Sequence, residues 1–159
     1  MRYELPVGRS VKVLTLFAVL VPIAVFCWLW ISGIERIAVY IALPLIMVFG
    51  IAYAFSPKEV LLEDGGVVIK KVVGRVFIPY SSIKDVSYVE ELSRRTIRLF
   101  GSGGLFGWYG IFRVPDIGVV RIYARRTKGL VLIKADRNYL IAPEDPQIFI
   151  EELKSRIRV

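Results

Sequence analysis

Two apolar runs near the N-terminus, residues 13–31 and 37–55, constrain this chain more than any other feature. Neither contains an Asp, Glu, Lys or Arg, and only Ser32, Gly33, Ile34, Glu35 and Arg36 separate them. A helix rises about 1.5 Å per residue, so about 20 apolar residues cross the ~30 Å hydrocarbon core of a bilayer. Each run has that length. Core helices of soluble proteins are usually shorter and keep a polar stripe, which these runs lack. The pattern predicts a transmembrane hairpin at 13–55, a short cytoplasmic segment at 1–12 and one cytoplasmic domain at 56–159.

Charge sets the expected orientation. Arg2, Arg9 and Lys12 precede the first run, the inter-helix turn carries Arg36 beside Glu35, and residues 56–159 hold 18 Lys/Arg against 12 Asp/Glu. Basic flanks stay in the cytoplasm, which puts both termini inside and residues 32–36 outside, as a two-pass integral protein of the cell membrane. Trp28, Trp30 and Tyr40 then fall near the outer headgroup layer, and Tyr53 and Phe55 near the inner one. The first run exceeds the ~7–15 residue core of a signal peptide and no small-x-small site follows it, so it is read as a retained span. Pro22 and Pro44 fall near the two mid-spans. With no ionisable residue at that depth, they are read as shape features rather than as a transport path.

Composition narrows the chemistry. The chain has no His and a single Cys, Cys27, inside the first run. Cys/His zinc sites, Ser-His or Cys-His nucleophile pairs and an internal disulfide are therefore excluded. The acid pairs Glu63/Asp64, Glu90/Glu91 and Glu144/Asp145 are adjacent in sequence, and along a strand adjacent side chains point to opposite faces. The expectation is a non-catalytic protein without cofactor, metal or small-molecule substrate. A basic domain tethered to a bilayer favours membrane lipids over nucleic acid as its partner, with a protein partner or a homo-oligomer also open.

Beyond residue 55 the pattern changes to short alternating runs at 59–63, 67–73, 75–79, 83–90, 95–100, 119–124, 130–134 and 139–141. Asp64-Gly65-Gly66 is expected to turn the first pair, with glycine supplying positive φ. Such spacing predicts an antiparallel sandwich or barrel. The end of the chain differs. Asp145 can cap a helix, Pro146 suits its first position, and Phe149, Ile150, Leu153 and Ile157 recur at helical spacing.

The segment Gly101-Ser102-Gly103-Gly104-Leu105-Phe106-Gly107-Trp108-Tyr109-Gly110, the apolar Leu130-Val131-Leu132-Ile133, and Tyr139-Leu140-Ile141-Ala142-Pro143-Glu144-Asp145-Pro146 leading into Phe149 resemble the bacterial PH-domain group of small prokaryotic membrane proteins. The resemblance implies a mainly-β PH-like barrel of about seven antiparallel strands closed by a C-terminal amphipathic helix, behind a helical anchor. It implies a fold, not a chemistry. The first hairpin tip, Glu63-Asp64-Gly65-Gly66, is acidic where phosphoinositide-binding eukaryotic members are basic, and the last helix lacks their tryptophan.

Two stretches stand out as candidate sites. Residues 101–113 interleave glycines with Leu105, Phe106, Trp108, Tyr109, Ile111 and Phe112, a glycine-rich loop in the expected layout. The spacing matches neither G-x-x-x-x-G-K-[ST] nor G-x-G-x-x-G. Large apolar side chains gain about 1.5–3 kcal/mol each on burial. Three places are open to these: the domain core, the inner leaflet, or a partner surface. Arg125, Arg126 and Lys128 crowd one turn and Arg94, Arg95 and Arg98 another region, which suits either solvated tips or a contact with anionic headgroups. The expected role is an interaction module at the cytoplasmic membrane face, with a structural subunit of a larger, homo-oligomeric assembly as the alternative.

Overall fold

The computed structural model describes residues 1–157. Strand β1 (Arg2–Glu4) leads into helices α1 (Arg9–Ile31) and α2 (Glu35–Ala54), which form the hairpin. Nine strands follow: β2 (Pro57–Glu63), β3 (Gly66–Lys71), β4 (Arg75–Pro79), β5 (Asp85–Glu91), β6 (Ile97–Gly103), β7 (Trp108–Val114), β8 (Gly118–Ala124), β9 (Lys128–Lys134) and β10 (Asn138–Ile141). Helix α3 (Pro146–Ile157) ends the described chain, starting on the proline that suits a first helical turn.

Along most of their length the helices of the hairpin are left uncovered by the described residues. Their most apolar windows, of mean hydropathy 2.5 and 2.3, are 0% and 6% buried within the chain. A soluble core helix of that hydropathy would be enclosed by its own protein. Both helices are long and apolar enough to cross a membrane.

The β domain has two sheets rather than a barrel. One runs β1-β2-β3-β4 and the other β5-β9-β10-β8-β7-β6, and no barrel closes among the described residues. The expected count of about seven strands is also corrected to nine in the domain. The extra pairing comes from the glycine-rich stretch, which is a hairpin of β6 and β7, not a loop. Nor is the domain wholly antiparallel. β10 inserts between its two predecessors, antiparallel to β9 and parallel to β8.

The N-terminal segment, expected as a polar tail, supplies an edge strand. Tyr3 stands opposite Val60 in an antiparallel ladder, and the Met1 ammonium donates to the Leu62 carbonyl at 2.9 Å. Leu5 is buried, and the carboxylate of Glu59 takes Arg2 and Lys70 at 2.5 and 3.2 Å. Chain segments before and after the hairpin thus share one sheet. The turn from β2 to β3 also differs in mechanism. None of Asp64, Gly65 and Gly66 has positive φ. Glycine is needed at 66 because a Cβ there would collide with the Ile78 carbonyl of β4.

The six-stranded sheet has a core on each face, as the alternation of β9 records. Val131 and Ile133 join the cluster enclosed by the four-stranded sheet and α3, with Val60, Ile69, Phe149 and Leu153. Leu130 and Leu132 belong to the second cluster, with Phe112, Ile122 and Leu140. Helix α3 lays the expected stripe of Phe149, Ile150 and Leu153 into the first cluster.

Candidate functional site

The last turn of an α-helix leaves four carbonyls without partners inside the helix. At the end of α2 all four are taken. Ile51 and Tyr53 accept from the N–H groups of Phe55 and Ser56 at 3.2 and 3.0 Å. The Ala54 carbonyl accepts from Val73 N–H at 2.8 Å, and that of Ala52 from the Tyr109 hydroxyl at 2.5 Å. Two of the four donors come from the β domain, so the helix end is capped by the domain it carries.

The β6–β7 turn completes this junction. Phe106 donates its N–H to Thr15 Oγ1 of α1 at 3.0 Å, and its carbonyl accepts from Ser56 Oγ at 2.8 Å. Its ring meets Tyr53 of α2 edge-on, with centroids 5.5 Å apart. Gly8, just before α1, donates to the Arg125 carbonyl at 2.7 Å. The turn therefore wedges between the bases of both helices.

The six apolar residues singled out in the sequence divide among three roles. Phe112 is fully buried in the second core cluster, and the half-buried Trp108 packs on it with ring centroids 5.9 Å apart. Phe106 and Tyr109 dock on the helices. Leu105 and Ile111 line an open groove between α2 and the outer half of the six-stranded sheet. Burial raises the Tyr109 pKa above its ordinary value, opposed by the Ser102 hydroxyl.

The three basic residues have different surroundings. Arg126 donates to the Pro143 and Glu144 carbonyls at 2.6 and 3.3 Å, tying the β8–β9 turn to the approach to α3. Arg125 is half-buried; burial lowers its pKa, and Tyr53 opposes that shift. Lys128 is exposed and lies 3.7 Å from Glu91.

Sequence reasoning noted Arg98 beside Arg94 and Arg95, but not that Lys71, Arg98 and Arg121 together line the α2 groove. They lie on three strands far apart in the chain, so no run of charge joins them. The groove has a volume of ≈ 630 Å³, and no Asp or Glu lines it. Its walls are apolar: Val48 and Ile51 of α2, with Phe55 just after the helix, face Phe100 and Ile111 of the sheet. Lys71 Nζ stands 4.8 Å from the centre of the Phe55 ring. Gly101 and Gly110, paired across β6 and β7, lie between these walls. Their φ values are +109° and +125°, and a Cβ on either would strike a carbonyl of the opposite strand.

The sequence profile described as "Bacterial PH domain" matches residues 52–157, more than half of the chain. The chain belongs to the bacterial PH-domain family. The match begins within the last turn of α2, at the residue whose carbonyl takes the Tyr109 hydroxyl. An uncharacterised protein of Clostridium acetobutylicum is 34% identical over 88 residues, covering 52% of this chain and 29% of that protein. The bacterial PH-domain chain thus corresponds to well under two thirds of that relative's length. No solved structure matches it.

Tyr109 offers a direct probe of the junction. In Tyr109→Phe the Ala52 carbonyl loses its donor, with an expected loss of about 0.5–1.5 kcal/mol. Tyr3, Tyr80, Tyr109 and Tyr123 all have pKa values raised above 10.0, chiefly by burial. A raised folded-state pKa contributes stability that is complete below pH 10 and is lost as pH climbs through the folded value. Urea titrations of the detergent-solubilised chain should therefore weaken above pH 10, less steeply in Tyr109→Phe. A flat response from pH 9 to 12 would contradict this.

Proposed function

We propose that this protein is a membrane-anchored, non-catalytic PH-like module whose β domain serves as an interaction surface at the cytoplasmic face. One observation carries the reading: β1 and β2, on either side of the hairpin, pair in one sheet, while the domain caps the end of α2. With α1 and α2 crossing the membrane, the hairpin begins and ends on the same side. The basic flanks make that side the cytoplasm. A domain held this way has a fixed face toward the bilayer and leaves its remaining surface to membrane lipids or a protein partner.

A groove between α1 and α2 favours a second reading, a subunit of a homo-oligomeric assembly. Its volume is ≈ 490 Å³, and Pro22, Phe26, Ala38, Leu45 and Phe49 are among the apolar residues lining it. A helix from a second copy would fill such a space at mid-membrane.

Fractionation tests the anchor. The full chain should pellet with membranes, resist carbonate extraction, and lose its β domain to protease in inverted vesicles but not in intact spheroplasts. Recovery in the supernatant would overturn the anchor, and digestion in spheroplasts would overturn the orientation. A detergent-solubilised particle of one chain per micelle supports the interaction module; a discrete oligomer supports the assembly.

A further inference from the structure

The groove between α2 and strands β6–β8 has a composition that neither the core nor the junction requires. One wall is the end of an apolar helix, with Val48 and Ile51 exposed by 56% and 55%. The other is a sheet face presenting Phe100, 75% exposed, and Ile111. Solvent-facing aromatic and aliphatic groups of this size are normally covered. Lys71, Arg98 and Arg121 line the same space, and none forms an ion pair among the described residues. The glycine pair at 101 and 110 keeps side chains out of the middle.

We infer that this groove seats one anionic phospholipid of the membrane in which α2 is embedded. The inference rests on the anchored reading above. Its acyl chains lie along Val48, Ile51 and Phe55, continuing the bilayer-facing side of α2, and its phosphate is met by Lys71, Arg98 and Arg121. Charge complementarity selects an anionic headgroup, since three cations and no carboxylate line the site. Continuity with α2 selects a lipid, because one wall is the same helix that the hydrocarbon already covers. The acidic tip at Glu63 and Asp64 lies on another hairpin and does not line the groove. The volume falls within the ~300–1,000 Å³ usual for a ligand site.

The test uses the full chain purified in a neutral detergent, mixed with phosphatidylglycerol or phosphatidylcholine and examined by native mass spectrometry. One phosphatidylglycerol per chain should be retained in preference to phosphatidylcholine. Each basic residue near an anionic headgroup is worth about fivefold in affinity, so Arg98→Gln with Arg121→Gln should weaken phosphatidylglycerol about 30-fold and phosphatidylcholine, whose phosphate is offset by its choline cation, much less. Inorganic phosphate at about 100-fold excess should not displace the lipid, because it lacks the chains. Equal retention of both lipids, displacement by phosphate, or an unaffected double variant would each overturn the inference. Phe100→Ser supplies a second variant at an exposed position: it should loosen phosphatidylglycerol without changing the near-ultraviolet circular dichroism, and unchanged retention would count against the site. A chain that pellets with membranes yet shows no preference overturns the groove alone, whereas one that stays in the supernatant overturns the anchor.

Discussion

Phe149→Ala is expected to remove about 3–5 kcal/mol of stability, among the largest losses from a single side-chain truncation in the domain. The ring is fully buried, and its edge meets Tyr3 with centroids 5.0 Å apart. It belongs to the cluster in which β1–β4, β5, β9, β10 and α3 converge, so the void left behind adjoins both sheets. Neighbours on two sheets cannot all move inward without breaking strand pairing, and a cavity that cannot collapse keeps its full cost. Against a typical domain stability of about 5–15 kcal/mol, that is about a fifth or more of the total. Urea titration of the solubilised full chain, followed by near-ultraviolet circular dichroism, measures it. Ile148→Ala, on the same helix but 58% exposed, should fall within about 0.5 kcal/mol of the parent. A Phe149→Ala loss below about 1 kcal/mol would show that α3 is not integral to the core.

The elements legible in the sequence were those whose signal is local and long. The apolar runs gave α1 and α2, though the first helix starts four residues early, at Arg9, where polar residues continue the same hydrogen bonding. Pro146 and the stripe from Phe149 gave α3. Strand β1 was illegible because three residues, Arg2–Glu4, carry no periodicity, and their partner β2 lies beyond the whole hairpin. Strand β7 was hidden for another reason. Its Tyr109 and Ile111 face α2 and the groove while Phe112 and Val114 face the second core, so both faces are covered and the alternation disappears. The site shows the same limit. Arg125, Arg126 and Lys128 drew notice as neighbours in sequence, but their guanidinium and ammonium groups serve a turn, a buried corner and Glu91. Lys71, Arg98 and Arg121 become neighbours only through β3, β6 and β8.

Gly110→Ala should cost markedly more than Gly118→Ala, although the chemical change is the same. Both glycines have positive φ, +125° and +89°. Ordinary residues held in such regions are strained by about 1–3 kcal/mol. The surroundings differ. A Cβ at Gly118 meets nothing within 4 Å, whereas one at Gly110 would collide with the carbonyl of Phe100 and press on Gly101 Cα at 2.8 Å. Those atoms are backbone of the paired strand and cannot swing aside as a side-chain tip would. Forcing β6 and β7 apart adds about 1–3 kcal/mol of overpacking, giving about 2–6 kcal/mol at Gly110 against 1–3 at Gly118. The separation also decides what the glycines are for. If they serve only the left-handed backbone, the two variants lose equal stability. If they serve the close approach of β6 to β7, Gly110→Ala alone loosens that hairpin, and amide hydrogen exchange at Tyr109 and Ile111 accelerates. Because Tyr109 caps α2, the same variant should weaken the hold of the β domain on the helix.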